Sequence, residues 1–548
     1  MFLSHRRSAR FALRCVVGAA SFVGLALVAS PAQDASLPQS GHGGGIVKSQ
    51  GTPPSLDTAP VPRPPNLGSF VKNEAVAIQL GKALFWDQQV GSDGRTACAT
   101  CHHAAGVDPR VINTMHPGRV NGVMDHVDAG GRMLPSMFPI AGDDIVGSQG
   151  VVDNNFVSIN VGGAVDNGIL TPHPVFGTNP QVTGRQAPSS INAVFNETNF
   201  WDGRAANTFD GRTVGNAGAS VLQVQANGSV IPVLVALVDS SAASQAVGPP
   251  NSDVEMAWAG RSFPDIWKKL LALRPLGSQR VHPQDSVLAS IRHPSSIGLR
   301  VSYARLIQDS FQDSFWSSNA IFDRAGNLIG SGTPVGLDQF SLMEANFSLF
   351  WGLAVQMYES TLISSDAPFD RFARGNASAL TAQQQAGLNV FMGKADCEHC
   401  HGGAEFTNAS VNVGGNGRDF NNIGVETLAE DPGNAAGEFK TAQLRNTELT
   451  GPYFHNGMFL TLRQVVDFYD RGGNVANDAI EPIGLTEAEK TALVDFLISL
   501  TDDRVRFQRA PFDHPSLNPV NRSPVGAVGA GGALNPLRTF LGVSPFHP

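Results

Sequence analysis

Two short segments carry the same pattern, CxxCH, and this pattern constrains the chain more than any other feature. They are Cys98-Ala99-Thr100-Cys101-His102 and Cys397-Glu398-His399-Cys400-His401. In this spacing two thiols bond the vinyl groups of one haem, while the imidazole of the following histidine ligates its iron. A CxxC pair alone would also suit half of a zinc site or a redox disulfide, but a histidine follows both pairs. The sequence therefore predicts two covalently bound c-type haems.

The N-terminal region has the composition of an export signal. An apolar stretch over residues 16–29 is preceded or interrupted by arginines and ends near Ala32. These arginines are Arg6, Arg7, Arg10 and Arg14. The pattern predicts a signal peptide over residues 1–32, with an uncleaved anchor as the alternative. No later segment has the roughly eighteen uncharged apolar residues of a span, so we expect no membrane span in the mature chain and a periplasmic location.

Charge narrows the range of partners. The formal net charge is −9, and it becomes −13 without the predicted signal peptide, which carries four arginines and no acids. A strongly acidic chain disfavours nucleic acid and permits docking of a small, locally basic electron-carrier protein. A homodimer is compatible with the sequence.

About 515 residues follow the predicted signal peptide, which is more than one ordinary domain. Residues 33–66, rich in Gly, Pro and Ser, predict a flexible linker. We expect a first haem domain with insertions over 67–335, a second haem domain over 336–510, and a Pro/Gly-rich tail over 511–548. The predicted fold class is mainly α, with two cytochrome c-like haem lobes and long, loop-rich insertions.

A helical pattern precedes each CxxCH. Residues 74–86 have apolar side chains at helical spacing, and residues 381–392 repeat this after Thr381, a candidate N-cap, although Gly387 weakens the pattern. A helix followed by CxxCH, used twice, indicates two related units.

Other stretches are also informative. Residues 254–310, 338–364 and 486–500 are predicted to be helical. Residues 104–184 are dense in Gly, Asn, Asp and Pro, which predicts loops with short strands.

Three runs together resemble the bacterial dihaem cytochrome c peroxidase and MauG family. They are LGKALFWDQQVGSDGRTACATCHH, NAVFNETNFWDGRA and EFKTAQLRNTELTGPYFHNGMFLTLRQVVDFYDRGG. The resemblance covers about half of the mature chain, because extra segments fill 104–180, 207–243 and parts of 257–335. It implies that His102 ligates a peroxidatic haem and His401 an electron-transfer haem.

The resemblance extends to a distal haem pocket. The family has a Gln and, ten positions later, a Glu in a stretch similar to QAVGPPNSDVEM, which supplies Gln245 and Glu255 here. A carboxylate beside an open haem position can move a proton between the two oxygens of hydrogen peroxide, and an amide can orient the peroxide. Without the resemblance, Glu255 would be interpreted as a surface or capping carboxylate.

Two aromatic residues match family positions. Trp201, in FWDGRA, matches the tryptophan between the two haems, although a tryptophan beside Phe200 is by itself typical of a core. Tyr469 falls where the peroxidases have a methionine ligand to the second haem and the MauG-like branch has tyrosine. Met458 is a competing candidate for this ligand. Tyr469 would in another interpretation pack on the haem without binding its iron.

Two further sites are less defined. His116, His126 and His173 are candidates for a distal ligand of the first haem, and none is assigned. The resemblance also suggests calcium held by Thr450 and Pro452, although Gln186 stands where the family has Asn.

The reading that combines these features is a cytochrome-c peroxidase-type oxidoreductase that reduces hydrogen peroxide to water. Its electrons would come from a small cytochrome or copper protein, with the haem doing the redox chemistry. The alternatives are a MauG-like oxidase of a protein substrate, a dioxygen-using dihaem oxygenase and a non-catalytic electron carrier.

Overall fold

The computed structural model describes residues 51–118, 130–140, 143–413, 419–426, 431, 433–435, 437–477 and 479–548. The predicted signal peptide, residues 33–50 of the predicted linker and His126 lie outside these ranges. The described residues belong to one compact unit. None of the helices in this part of the chain is both long and apolar enough to cross a membrane.

The first hydrophobic core surrounds helix α1 (Glu74–Trp86), whose bounds are those predicted from the sequence. The Asn73 side chain caps its N-terminus by accepting a backbone hydrogen bond. Helix α1 packs against helix α7 (Phe347–Glu359), which is buried along its whole length. A Cβ atom at Gly81 would lie 1.8 Å from the carbonyl oxygen of Ala354, so glycine is what lets the two helices touch.

Further helices pack around this first core. They are α2 (Cys98–His102), α3 (Ser241–Ala246), α4 (Phe263–Leu271), α5 (Tyr303–Ser310) and α6 (Leu342–Ala345). The prediction of helix throughout 254–310 is wrong, because α-helix occupies only α4 and α5, with one 3-10 turn at Ala289–Ile291. Prolines and glycines interrupt the region between them, and its apolar residues enter the core from turns.

The second hydrophobic core is built from helices α8 (Pro368–Ala373), α9 (Ala382–Met392), α10 (Leu462–Asp470) and α11 (Glu487–Ile498), with α12 (Asp503–Arg506) following. Thr381 and Gln384 form a capping box at the start of α9. A Cβ at Gly387 would lie 2.0 Å from the carbonyl oxygen of Ala492 in α11. The glycine that weakens the helical pattern is therefore the point where two helices meet, as Gly81 is in the first core.

The strands form small antiparallel sheets, paired as β1–β2, β3–β6, β4–β5, β7–β8, β10–β9–β11 and β12–β13. Their bounds are β1 (Met115–His116), β2 (Ile145–Val146), β3 (Gln149–Val152), β4 (Asn154–Ser158), β5 (Asn167–Leu170), β6 (Pro180–Val182), β7 (Ser220–Val224), β8 (Val230–Leu234), β9 (Ala320–Phe322), β10 (Leu328–Ser331), β11 (Phe340–Ser341), β12 (Phe420–Asn421) and β13 (Phe439–Lys440). Short strands do occupy 104–184, as predicted. Helices make up 29 % and strands 15 % of the structure, so the prediction of a mainly α protein is not confirmed.

Segments far apart in sequence meet around the two cores. Helix α7 lies beyond residue 336, in the segment assigned to the second haem domain, yet it packs in the first core. The tail returns to the same core, where Asp513 binds Lys82. In residues 51–66, the Leu56 N–H donates to Asp370 of the second lobe. Both lobes therefore depend on long-range contacts.

Candidate active site and haem sites

The first CxxCH forms helix α2, directly after α1 and a short loop. The Nδ1 atom of His102 lies 2.7 Å from the carbonyl oxygen of Gly106. A carbonyl oxygen only accepts hydrogen bonds, so Nδ1 carries the proton and Nε2 keeps its lone pair. This tautomer is the one a haem iron requires when it is bound through Nε2.

The cysteine side chains of the first motif are partly buried, and Cys101 lies beside charged side chains. Burial raises the pKa of Cys101 to about 12, although the Arg110 guanidinium opposes this shift. An Arg110 N–H lies 3.2 Å from the Cys101 sulfur, and Arg110 is held by a buried ion pair with Asp108. Arg110 and Asp108 therefore fix the position of the Cys101 sulfur, the atom that would form the thioether bond to haem.

A cavity of about 570 Å³ opens beside this motif. Cys98, Cys101 and His102 line it together with Gln245 and Glu255. The three segments that supply these side chains are helix α2, helix α3 and the loop after α3. The structure thus brings the predicted pocket residues and the first CxxCH into one space of the size typical of cofactor sites.

Glu255 is partly exposed, and its carboxyl group lies in a mixed electrostatic environment. Burial raises its pKa above 4.5, while a hydrogen bond from Ser252 and the charge of Arg204 lower it. A carboxyl with a raised pKa is suited to exchanging protons near neutral pH. The chemistry available at this wall of the cavity is therefore proton transfer.

Trp201 lines the same cavity and also reaches toward the second lobe. Its indole N–H donates a hydrogen bond to the carbonyl oxygen of Gln186 at 2.8 Å. Its ring meets the His455 ring edge to face with 6.4 Å between centroids, and His455 stacks on Phe439 at 3.6 Å. The Lys440 N–H donates to the Trp201 carbonyl oxygen. Trp201 therefore lies between the first cavity and the segment around 439–455.

The second CxxCH follows helix α9 and begins with a short 3-10 turn, Cys397–His399. The Nδ1 atom of His401 lies 3.2 Å from the carbonyl oxygen of Phe406. As at His102, this contact places a proton on Nδ1, and the backbone of Ala442 is a second hydrogen-bond partner of the ring. Burial raises the pKa of the Cys397 thiol to about 12.

Tyr469 and Met458 share one hydrophobic cluster next to the second motif. Burial raises the pKa of Tyr469, and the nearby Cys400 and Cys397 raise it further, which places the tyrosine close to the second motif. The Met458 sulfur accepts a hydrogen bond from the Asn474 amide at 3.3 Å. Both side chains stay candidates for the second haem, and the Met458 sulfur already has a polar partner in Asn474.

The two described histidines of the insertion pack on the same aromatic ring. His116 lines the first cavity and lies 5.8 Å from Phe176 between ring centroids, and His173 lies 5.1 Å from Phe176. For the suggested calcium site, the Gln186 N–H donates to the His455 carbonyl oxygen at 2.7 Å, which brings Gln186 close to the segment of Thr450 and Pro452.

Two lining residues were missed from the sequence. Glu359 ends helix α7 and is 6 % exposed, and one of its carboxylate oxygens is buried with no hydrogen-bond partner among the described residues. Lys440 reaches the cavity from strand β13, and burial lowers its pKa to about 8. The sequence signal for Glu359 would have been an acid at the end of a helix with no other charged residue. No feature of the sequence indicated that Lys440 would line the cavity.

A cavity beside a covalent haem motif, with a second such motif in a separate lobe, defines a dihaem c-type protein. The family model for di-haem cytochrome c peroxidase matches residues 75–327. Over this region the chain is similar to the cytochrome c peroxidase and MauG family, and the family implies two c-type haems. The resemblance drawn from the sequence is thereby confirmed.

Two bacterial relatives and one solved structure are similar to this chain. Cytochrome-c peroxidase IdrP2 of Denitromonas iodatirespirans is 36 % identical over 174 residues, which are 27 % of this chain and 47 % of the relative. Cytochrome c peroxidase Ccp of Escherichia coli K12 is 25 % identical over 442 residues, 78 % of this chain and 62 % of the relative. A solved MauG-like protein associated with microbial copper homeostasis is 20 % identical with a TM-score of 0.44, covering 83 % of this chain and 95 % of that one. The chain spans about half the length of the first of these relatives.

Proposed function

We propose that this chain is an exported dihaem peroxidase that reduces hydrogen peroxide to water. The observation that carries the proposal is the shared cavity, in which Gln245 and Glu255 face the same space as the first CxxCH. The first haem, held by Cys98, Cys101 and His102, would be the reaction site. The second, held at the other CxxCH, would receive electrons from a small cytochrome or copper protein.

The bound haems would supply the redox chemistry, and the protein supplies proton transfer, orientation and a path for electrons. The Glu255 carboxylate takes the proton from one peroxide oxygen and returns it to the leaving oxygen. The Gln245 amide donates a hydrogen bond that orients the peroxide. The Trp201 ring lies where electrons would pass from the second lobe to the first cavity.

The location and partners follow from the sequence. The export signal and c-type haems favour the periplasm. The acidic chain suits a basic donor and disfavours nucleic acid. A homodimer and a calcium ion near Thr450 and Pro452 remain part of the proposal.

A MauG-like oxidase of a protein substrate is the second candidate, and one observation favours it. Tyr469 lies close to the second CxxCH, and the Met458 sulfur accepts a hydrogen bond from Asn474. An anionic phenolate ligand would favour higher oxidation states of iron than a thioether does. The dioxygen-using and non-catalytic alternatives gain no such support, because an acid-base pocket beside the first motif suits peroxide reduction.

The proposal is tested by replacing Glu255 with Gln in the protein with both haems. We expect both haems to be retained and peroxide reduction to slow by about 10² to 10⁴-fold, the usual worth of general acid-base catalysis. The wild-type rate should rise with pH through the raised pKa of Glu255, because only the carboxylate accepts a proton. The variant should lack this rise.

Glu197→Gln is the matched control. Glu197 is an acid of the same lobe that accepts a hydrogen bond from Asn207 and is outside the set of residues that line the cavity. The control should keep the wild-type rate and pH profile. Unchanged turnover in Glu255→Gln would instead return Glu255 to the role of an ordinary carboxylate.

A further inference from the structure

A chain of aromatic rings begins beside His102 and ends at Trp86, in the first core. The Phe85 ring lies 6.3 Å from the His102 ring, and the Trp86 ring lies 6.2 Å from that of Phe85, all between centroids. Tyr358 packs edge to face on Phe85 at 5.5 Å. Phenylalanine is hard to oxidise, whereas tryptophan and tyrosine are the most readily oxidised aromatic side chains. The oxidisable rings nearest to His102 along this chain are therefore Trp86 and Tyr358.

The indole of Trp86 is enclosed and polarised. It is 4 % exposed, and its N–H donates a hydrogen bond to the Tyr358 hydroxyl oxygen at 3.0 Å. Its opposite contact is His514, which stacks on it with 4.7 Å between centroids and 6° between planes. Burial lowers the pKa of His514 to about 4, so this imidazole is neutral at pH 7. No positive charge on the stacked ring opposes a positive charge on the indole.

Buried charges around these rings favour a cation. The Lys82 ammonium lies 2.9 Å from an Asp285 oxygen and 3.4 Å from an Asp513 oxygen, and all three side chains are fully buried. Two carboxylates and one ammonium give the cluster a formal charge of −1. Asp513 and Asp285 are close enough to raise the pKa of Tyr358, and Asp513 precedes His514 in the chain. In a low-dielectric interior this net negative charge stabilises a neighbouring positive charge.

We propose that Trp86 is a protein-based redox site, which donates one electron to the oxidised first haem site when no donor electron arrives. Reduction of one hydrogen peroxide to two waters consumes two electrons and two protons. Without a donor protein, both electrons come from the haem sites. Trp86 then returns one electron to the first haem site. The indole then becomes a cation radical. Its N–H proton stays in place, because the Tyr358 hydroxyl that accepts the hydrogen bond is a very weak base.

The inference rests on the proposed peroxidase activity but concerns a different residue set. Trp201 would pass electrons in from the second lobe, whereas Trp86 would supply an electron from within the first lobe. As a consequence, an oxidising equivalent left at the first haem site would move to Trp86 in the first core.

Electron paramagnetic resonance tests the proposal. Peroxide is added to the fully oxidised holoprotein without donor, in samples with ordinary or ring-deuterated tryptophan. We expect an organic radical whose spectrum narrows with deuterated tryptophan and whose signal is lost in Trp86→Phe. Trp267→Phe is the control, because Trp267 is equally buried but packs against Phe347 and Tyr303. A radical that persists in Trp86→Phe, or that narrows only with labelled tyrosine, would overturn the proposal.

A second measurement needs no variant. After repeated peroxide additions without donor, peptide mass spectrometry should find oxygen added to Trp86 before the buried Trp267 and Trp351. In the net reaction one peroxide adds one oxygen atom to the indole and yields one water. If peroxide were consumed but the three tryptophans were oxidised equally, the proposal for Trp86 would be refuted and the proposed peroxidase function would stand. Failure of any haem to reduce peroxide would overturn the proposed function and this inference together.

Discussion

Glu359 should make the stability of the folded protein fall as pH rises. The carboxyl group is buried at the end of helix α7, and in the part of the chain that the structure describes one of its oxygens has no hydrogen-bond partner. Burial raises its pKa from 4.5 to about 8. The folded protein therefore holds this proton at pH values where the unfolded chain has already released it.

The size of the effect follows from the two pKa values. One pKa unit corresponds to about 1.36 kcal/mol, so full ionisation costs the folded state up to about 5 kcal/mol. The contribution of protonated Glu359 to the free energy of unfolding is fully present below pH 4.5 and is lost as pH rises through about 8. Since domains are stable by only about 5–15 kcal/mol, the loss is large enough to measure.

Glu359→Gln removes the titration while keeping the shape of the side chain. Urea unfolding of the holoprotein between about pH 5 and pH 9 should show the variant gaining stability over wild type as pH rises. Glu481→Gln is the control, because Glu481 is exposed. Parallel pH profiles for wild type and Glu359→Gln would refute the reasoning, since they would mean that Glu359 ionises equally in both states.

Two further predictions concern the haems. Intact mass after acid-acetone extraction should exceed that of the processed polypeptide by two haem masses, and a mass equal to the bare chain would contradict covalent attachment. Tyr469→Phe removes one oxygen and keeps the ring, so a redox titration at the low-spin haem band should shift strongly if the phenolate binds the second iron. An identical potential and spectrum would eliminate tyrosine ligation and favour the donor-dependent peroxidase.

Local sequence patterns were sufficient for several elements. Helix α1 has its predicted bounds because Asn73 caps it and its apolar spacing is regular. Helix α9 begins after Thr381 because the Thr381 side chain caps its N-terminus. The two CxxCH motifs needed no fold to indicate haem, since the attachment chemistry lies within five consecutive residues. The pairing of Gln245 with Glu255 came from family resemblance, not from local physics.

Other features depended on the tertiary structure. Helical periodicity failed in 254–310, because the apolar residues there enter the core from turns broken by proline and glycine. The sequence analysis also underestimated the sheet content. Strand β7 pairs with β8, and β9 pairs with β10 and β11, and such pairing is not visible within a single segment of sequence.

The sequence by itself determined that this chain carries two haem motifs, each behind a capped helix. Only the tertiary structure placed Glu359 and Lys440 in the first cavity and set Trp86 between Tyr358 and His514. The physical reason is that a buried acid, a cavity wall or an aromatic stack is defined by side chains hundreds of residues apart. Burial and proximity of that kind arise from packing, which leaves no periodic trace in the chain.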